Sequence, residues 1–264
     1  MPIHHLTDLL YPPACLLCHA PLAPKEFPFA QPRASIPPSQ STSRGGVERT
    51  DRLLCDGCLE AMPRNGAPFC RRCGAMRPGA FDAIIECASC RRHPLAFDGA
   101  RAPWRYLGPA REAVRQFKYH HRWRLGRWLA QEMARLASRT LPTEEVTAVV
   151  PIPRHWLKRR LQGCHPASEL ARRVADALDK PYVPEGLRRV RWTSTQTRLP
   201  WPQRFRNVHQ AFRASRAISR HQTVLLVDDV FTSGATAHTA ALALKAVGIR
   251  RVLVLTAART PSLS

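Results

Sequence analysis

Residues 224–236, VLLVDDVFTSGAT, constrain this 264-residue chain more than any other segment. Their apolar start reads as a strand buried on both faces, the habit of a parallel sheet covered by helices. The strand passes into Asp228 and Asp229 and then into Thr232, Ser233, Gly234, Ala235 and Thr236, a turn of small residues that opens a helix. Small side chains and a glycine let successive main-chain N–H groups converge on one anion, and the helix N-terminus adds partial positive charge. The hydroxyls of Thr232, Ser233 and Thr236 add donors. Two carboxylates beside an anion site would only repel, but at the carboxyl end of a strand they are placed to accept hydrogen bonds from the vicinal hydroxyls of a ribose.

The flanking segments alternate between strand and helix. Residues 146–150 are short, β-rich and stopped by Pro151-Ile152-Pro153, and residues 167–178 read as a helix. Residues 223–227 read as a second buried strand, residues 235–247 as an alanine-rich helix closed by Gly248, and residues 251–256 as another strand. This alternation predicts a parallel sheet, so residues 96–264 are expected to form a Rossmann-like α/β domain. Between residues 108 and 139, Ala113, Val114, Phe117, Leu125, Trp128, Leu129, Met133 and Leu136 recur at helical spacing with arginines between them.

Residues 1–95 follow a different logic. Eight of the nine cysteines form four Cys-x-x-Cys pairs: Cys15 with Cys18, Cys55 with Cys58, Cys70 with Cys73, and Cys87 with Cys90. Two intervening residues let both sulfurs of a pair face one tetrahedral centre, and two pairs complete a Cys₄ zinc site. Eight thiolates therefore predict a double zinc ribbon with two structural zinc ions. Pairing in sequence order is the simplest arrangement, and an interleaved one has the same spacing. The apolar pieces here are too short for a core, so metal coordination is expected to supply most of the folding free energy. Residues 24–50, rich in Pro, Ser, Arg and Gly, are expected to be a disordered insertion. Cys164 stands alone and is assigned no chemistry.

Lysine and arginine total 41 against 19 acidic residues, and residues 111–220 hold 24 basic and 8 acidic ones, so +16 of the +22 sits there. Clustered positive charge points to a polyanionic partner or an anionic substrate. Arg111, Arg115, Lys118, Arg122, Arg124 and Arg127 interleave with Phe117, Tyr119, Trp123 and Trp128. That mixture suits phosphate contacts plus base stacking, and equally a solvated helix face whose aromatics enter the core. Lys118, Arg122, Arg124, Arg159, Arg160, Arg204 and Arg206 are the candidate nucleic-acid contacts, with single-stranded DNA the expected partner. The N-terminus lacks the basic-then-apolar pattern of a signal peptide, and no run approaches the length of a membrane span. A cytoplasmic protein without membrane insertion is expected, and there clustered cysteines favour metal over disulfide.

At every position, residues 224–236 resemble the phosphoribosyl-pyrophosphate signature of type I phosphoribosyltransferases. The resemblance implies 5′-phosphate binding by Thr232, Ser233, Gly234, Ala235 and Thr236, ribose contacts from Asp228 and Asp229, and magnesium carried by the ligand's pyrophosphate. The stretch from Val149 to Arg154 occupies the place of that family's pyrophosphate-binding loop, where Arg154 would pair with the oxygens. Zinc knuckles ahead of such a domain resemble a narrower group, the amidophosphoribosyltransferase-like ComF family of competence proteins. Phe117-Lys118-Tyr119, the strand end Val150-Pro151-Ile152-Pro153, Arg159-Arg160, and the block from Thr195-Gln196 through Arg204, Asn207-Val208 and Phe212 fit the same family. Gln162-Gly163-Cys164-His165-Pro166 departs from its usual Arg-Gly-Phe-Asn-Gln and keeps only the glycine.

A ComF-like protein is expected to act in DNA uptake and natural transformation by handling single-stranded DNA in the cytoplasm. The zinc ribbons would dock a partner such as a DNA-uptake helicase or processing protein. The other expectation is an active phosphoribosyltransferase, in which an unknown acceptor displaces pyrophosphate from the sugar.

Overall fold

The structure, a computed structural model, describes residues 13–22, 53–77, 86–120, 122–153, 165–190 and 211–261. The expected insertion at 24–50 and Cys164 lie outside the described residues. The chain divides into two compact units between Glu60 and Ala61.

In the first unit an antiparallel bridge joins Ala14 to Pro21 around Cys15 and Cys18, and His19 reverses the chain with φ of 61°. Cys55 precedes helix α1 (Asp56–Glu60) and Cys58 lies within it. The larger unit repeats that design. Phe69 bridges to Met76 around Cys70 and Cys73, Gly74 takes φ of 68°, and Cys87 caps helix α2 (Ala88–Arg92), which carries Cys90. Each unit thus contributes one hairpin knuckle and one helical knuckle, and the cysteines pair in sequence order.

After α2 come β1 (Gly99–Arg101), β2 (Trp104–Arg105), α3 (Gly108–Tyr119), α4 (Trp123–Thr140), β3 (Ala148–Pro151) and α5 (Pro166–Leu178). They are followed by β4 (Leu187–Arg189), β5 (Phe212–Ala214), β6 (Thr223–Phe231), α6 (Ala235–Lys245) and β7 (Arg251–Arg259). The main sheet runs β1, β7, β6, β3, with β2 also on β7, and every pairing in it is parallel. β4 and β5 form a separate antiparallel pair. The α/β class and parallel sheet read from the sequence are those of the molecule.

Burial on both faces explains the unbroken apolar runs. Val224 and Leu226 of β6 join Val252 and Val254 of β7 in a core with Ala237, Ala240 and Leu244 of α6. Leu225 and Val227 are equally buried on the opposite side, where α5 packs on β3 and β6 and α4 packs on β7. In α3, Ala110, Ala113, Val114 and Phe117 form the buried stripe. At the start of α5 the His165 ring accepts a hydrogen bond from the Ser168 N–H at 3.0 Å and Pro166 fills the first turn. Of the residues that depart from the family loop, His165 and Pro166 make a helix start.

The structure differs from the sequence expectations in three places. The strand expected at 223–227 continues to Phe231, so both aspartates belong to the strand itself. The strand expected at 251–256 continues to Arg259. The second cysteine quartet, expected to lack a core, is packed into one, because Cys70, Cys73 and Cys90 share the core of Val252, Val254 and Phe231.

Candidate functional site

The chain leaves β3 through α5 and returns to bridge Val149 at Tyr182, on the edge away from β6. It leaves β6 through α6 to β7, on the opposite side. Connections that diverge in this way open a crevice at the carboxyl ends of the two strands, the usual ligand position in such sheets. There Pro151 lies opposite Val227, and the Ile152 N–H donates to the Val227 carbonyl at 2.9 Å. A shallow, open pocket lies at this edge, lined by Ile152, Asp228, Phe231, Thr232, Gly234 and Thr236 among others.

The turn is braced from below. Gly234 has φ of 80°, and a Cβ there would sit 2.8 Å from the Phe231 ring. Phe231 is fixed by an edge-on contact with Phe97, ring centres 5.9 Å apart, and by the Arg259 guanidinium 5.2 Å from its centroid. The Thr260 N–H donates to the Phe231 carbonyl at 2.9 Å. The Ser233 hydroxyl accepts from the Ala235 N–H at 3.3 Å, and α6 begins at Ala235. First-turn N–H groups of a helix have no acceptor within the helix, so this end of α6 presents donors at the crevice. His238, one turn along, accepts the Ala96 N–H on Nδ1 at 3.0 Å, and burial lowers its pKa.

The two aspartates behave differently. Asp228 is half-buried, lines the pocket, and accepts the Asp229 N–H on Oδ1 at 2.8 Å. Asp229 is buried and pairs with the Lys118 ammonium at 2.5 Å. Arg189 of β4 is a further neighbour: burial lowers its pKa, and the negative charge of Asp228 acts against that shift. Arg154 lies outside the described residues.

Each cysteine quartet fits one zinc ion. Tetrahedral zinc with Zn–S of about 2.3 Å sets its sulfurs about 3.8 Å apart. The Cys18–Cys55, Cys70–Cys90 and Cys73–Cys87 sulfurs are separated by 3.5, 3.9 and 3.8 Å, and within each quartet all lie within 4.8 Å of one another. Main-chain N–H groups of Leu17, Cys58 and Cys87 point at Cys15, Cys55 and Cys70 sulfurs. In the second quartet hydrogen bonding with Cys73 and Cys90 holds the Cys70 pKa far down, while Cys73 is pushed up to about 11, chiefly by its bond to Cys70. Four thiols so close cannot all ionise without a cation to share them.

The arginine and aromatic run divides between core and surface. Phe117 is buried and meets Trp123 edge-on at 5.9 Å, while Trp128 stacks on Trp104 at 5.7 Å. Tyr119 and Trp123 remain 58% and 37% exposed at the turn between α3 and α4, next to exposed Arg122 and Arg124. Lys118 reaches inward to Asp229, and its ammonium also lies 5.9 Å from the Tyr119 ring centroid. Arg159, Arg160, Arg204 and Arg206 lie outside the described residues.

No family model matches the chain. Competence protein F of Haemophilus influenzae is 27% identical over 218 residues, 80% of this chain and 92% of the relative. DNA utilization protein YhgH of Salmonella typhi is 30% identical over 191 residues, 69% of this chain and 80% of the relative, and its Escherichia coli namesake is 28% identical over 192 residues. The chain belongs to the ComF family. Among the described residues of this ComF protein no helix is long and apolar enough to cross a membrane.

Several residues that build the ComF site carry no sequence signal. Arg189, Phe231, His238 and Arg259 act through contacts between segments far apart in the chain, as when Arg259 reaches the Cys73 carbonyl. Only Phe231 lies inside the signature, and nothing in one sequence shows that its ring supports Gly234.

Proposed function

We propose that this protein acts in DNA uptake by handling single-stranded DNA in the cytoplasm, and that it keeps a phosphoribosyl-pyrophosphate-type site in the β3–β6 crevice. Relatives named competence protein F and DNA utilization protein support the DNA role. The observation that carries it in this chain is the α3–α4 turn, where exposed Tyr119 and Trp123 stand beside Arg122 and Arg124. Guanidinium groups hold backbone phosphates while ring faces stack bases of any sequence. Arg159, Arg160, Arg204 and Arg206 are further candidate phosphate contacts in the reading, and the metal sites serve structure and the docking of a helicase or processing protein.

In the crevice, main-chain N–H groups and hydroxyls of residues 232–236 would hold the 5′-phosphate, and the aspartates the ribose hydroxyls. Magnesium would arrive with the pyrophosphate and neutralise it, with Arg154 as its protein partner. The braced turn and lined pocket favour a second reading, an active phosphoribosyltransferase. Pyrophosphate release in the presence of candidate acceptors tests it.

The DNA reading is tested by fluorescence anisotropy with a labelled single strand over a salt series. The logarithm of affinity should fall with the logarithm of salt by roughly 0.7 per phosphate contact. Replacing Arg122 and Arg124 by alanine should shrink that slope by about 1.4. Tyr119→Ala with Trp123→Ala should weaken binding by about 1–3 kcal/mol per stacked base with the slope unchanged. Slopes and affinities that ignore all four changes would refute the assignment of this turn.

A further inference from the structure

We propose that Lys118 belongs to the phosphosugar site, as the residue that positions Asp229, and not to the nucleic-acid surface. The proposal rests on the phosphosugar reading of the crevice. In sequence Lys118 is one of six basic residues from Arg111 to Arg127, marked only by the family-like stretch Phe117-Lys118-Tyr119. In the fold it turns inward, with its ammonium 5.9 Å from the Tyr119 ring centroid. Its ammonium lies 2.5 Å from Asp229 Oδ2, and the two side chains are only 21% and 10% exposed.

Helix geometry explains the difference. Ala110, Ala113, Val114 and Phe117 form the buried stripe of α3, and Lys118 borders that stripe in the last turn, while Arg111, Arg115 and Tyr119 face solvent. A long apolar stem can follow the stripe inward and deliver its charge at the carboxyl end of β6.

The charge has a use there. Adjacent carboxylates at the mouth of an anion site oppose an incoming phosphate, and an ammonium on Asp229 offsets part of that repulsion. Asp228 lines the pocket and faces the ligand there. A carboxylate has about four acceptor positions, so Asp229 can take the ammonium and still accept from a sugar hydroxyl with its rotamer held. Lys118 is thus a positioning residue that acts through Asp229.

The test is calorimetric titration of the full-length protein with magnesium and phosphoribosyl pyrophosphate, using wild type, Lys118→Met, Lys118→Arg, Asp229→Asn and the Lys118→Met/Asp229→Asn pair. Anisotropy with single-stranded DNA and thermal midpoints are measured alongside. Lys118→Met, which keeps the stem, should weaken magnesium–phosphoribosyl pyrophosphate by about 10- to 100-fold, the range found when an outer group that orients a ligating side chain is lost. Lys118→Arg should recover most of that affinity. The double variant should bind no worse than Asp229→Asn alone, because one residue acts through the other, and the salt slope for DNA should not move.

Wild-type affinity in Lys118→Met would overturn the proposal, and so would a DNA slope reduced by about 0.7 with sugar-phosphate binding intact. Equal loss in the Met and Arg variants together with lowered midpoints would mark a purely structural ion pair and also overturn it. Failure of the phosphosugar reading itself looks different: wild type would not bind the compound, and the proposal would fall with it.

Discussion

The Arg259 guanidinium donates a hydrogen bond to the main-chain carbonyl of Cys73, so the last strand of the sheet holds the turn that carries two thiols of the second metal site. The same guanidinium lies over Phe231, whose ring supports Gly234, and Ala96, just after the other knuckle, donates to His238 on the first turn of α6. Metal loss from this quartet should therefore reach the phosphate loop. Cys70→Ser with Cys73→Ser is expected to release one of two zinc ions, lower the thermal midpoint, and raise amide exchange across residues 232–238. Cys15→Ser with Cys18→Ser should release one zinc ion and leave exchange in that loop at the wild-type rate. Metal analysis and hydrogen exchange check both.

Gly234→Ala forces a side chain onto a left-handed backbone and against Phe231, since φ is 80° and the new Cβ would stand 2.8 Å from the ring. A cost of about 1–3 kcal/mol is expected from a non-glycine residue held in that region. Phe231→Leu should relieve only the steric part, so a double-mutant cycle in urea should show partial, not full, recovery.

His238 gives the loop a pH dependence. Burial lowers its folded-state pKa below the ordinary 6.5, and Nδ1 accepts a main-chain N–H only when unprotonated. The unfolded chain then takes up the proton more readily, so the stabilisation is complete above pH 6.5 and is lost as pH falls below it. His238→Gln keeps an acceptor but does not titrate. Between about pH 7.5 and about pH 5.5 the urea midpoint of wild type should fall further than that of His238→Gln. Parallel curves would contradict this.

Legibility followed the range of the interactions. The segment 224–236 could be read because its strand, acids, turn and helix start are contiguous, and the metal quartets because paired thiols two residues apart have few other uses. β1, β2, β4 and β5, with two or three residues each, are too short to show periodicity and owe their pairing to β7 or to each other. Lys118 was unreadable for the opposite reason. Its basic neighbours and the family-like stretch Phe117-Lys118-Tyr119 assign this side chain no partner, and only the packing of α3 on the sheet turns it toward Asp229. The second quartet shares the sheet core through Cys70, Cys73 and Cys90, a contact that no local pattern of apolar residues announces.

Isothermal titration with phosphoribosyl pyrophosphate and magnesium, comparing wild type with Asp228→Asn/Asp229→Asn, probes the crevice most directly. One magnesium-dependent site in wild type is expected, with affinity lower by at least about 100-fold in the double variant, since hydrogen bonds to charged groups contribute roughly 1.5–3 kcal/mol each. Absence of binding to either protein, or equal binding to both, would contradict a phosphosugar site built on residues 228–236.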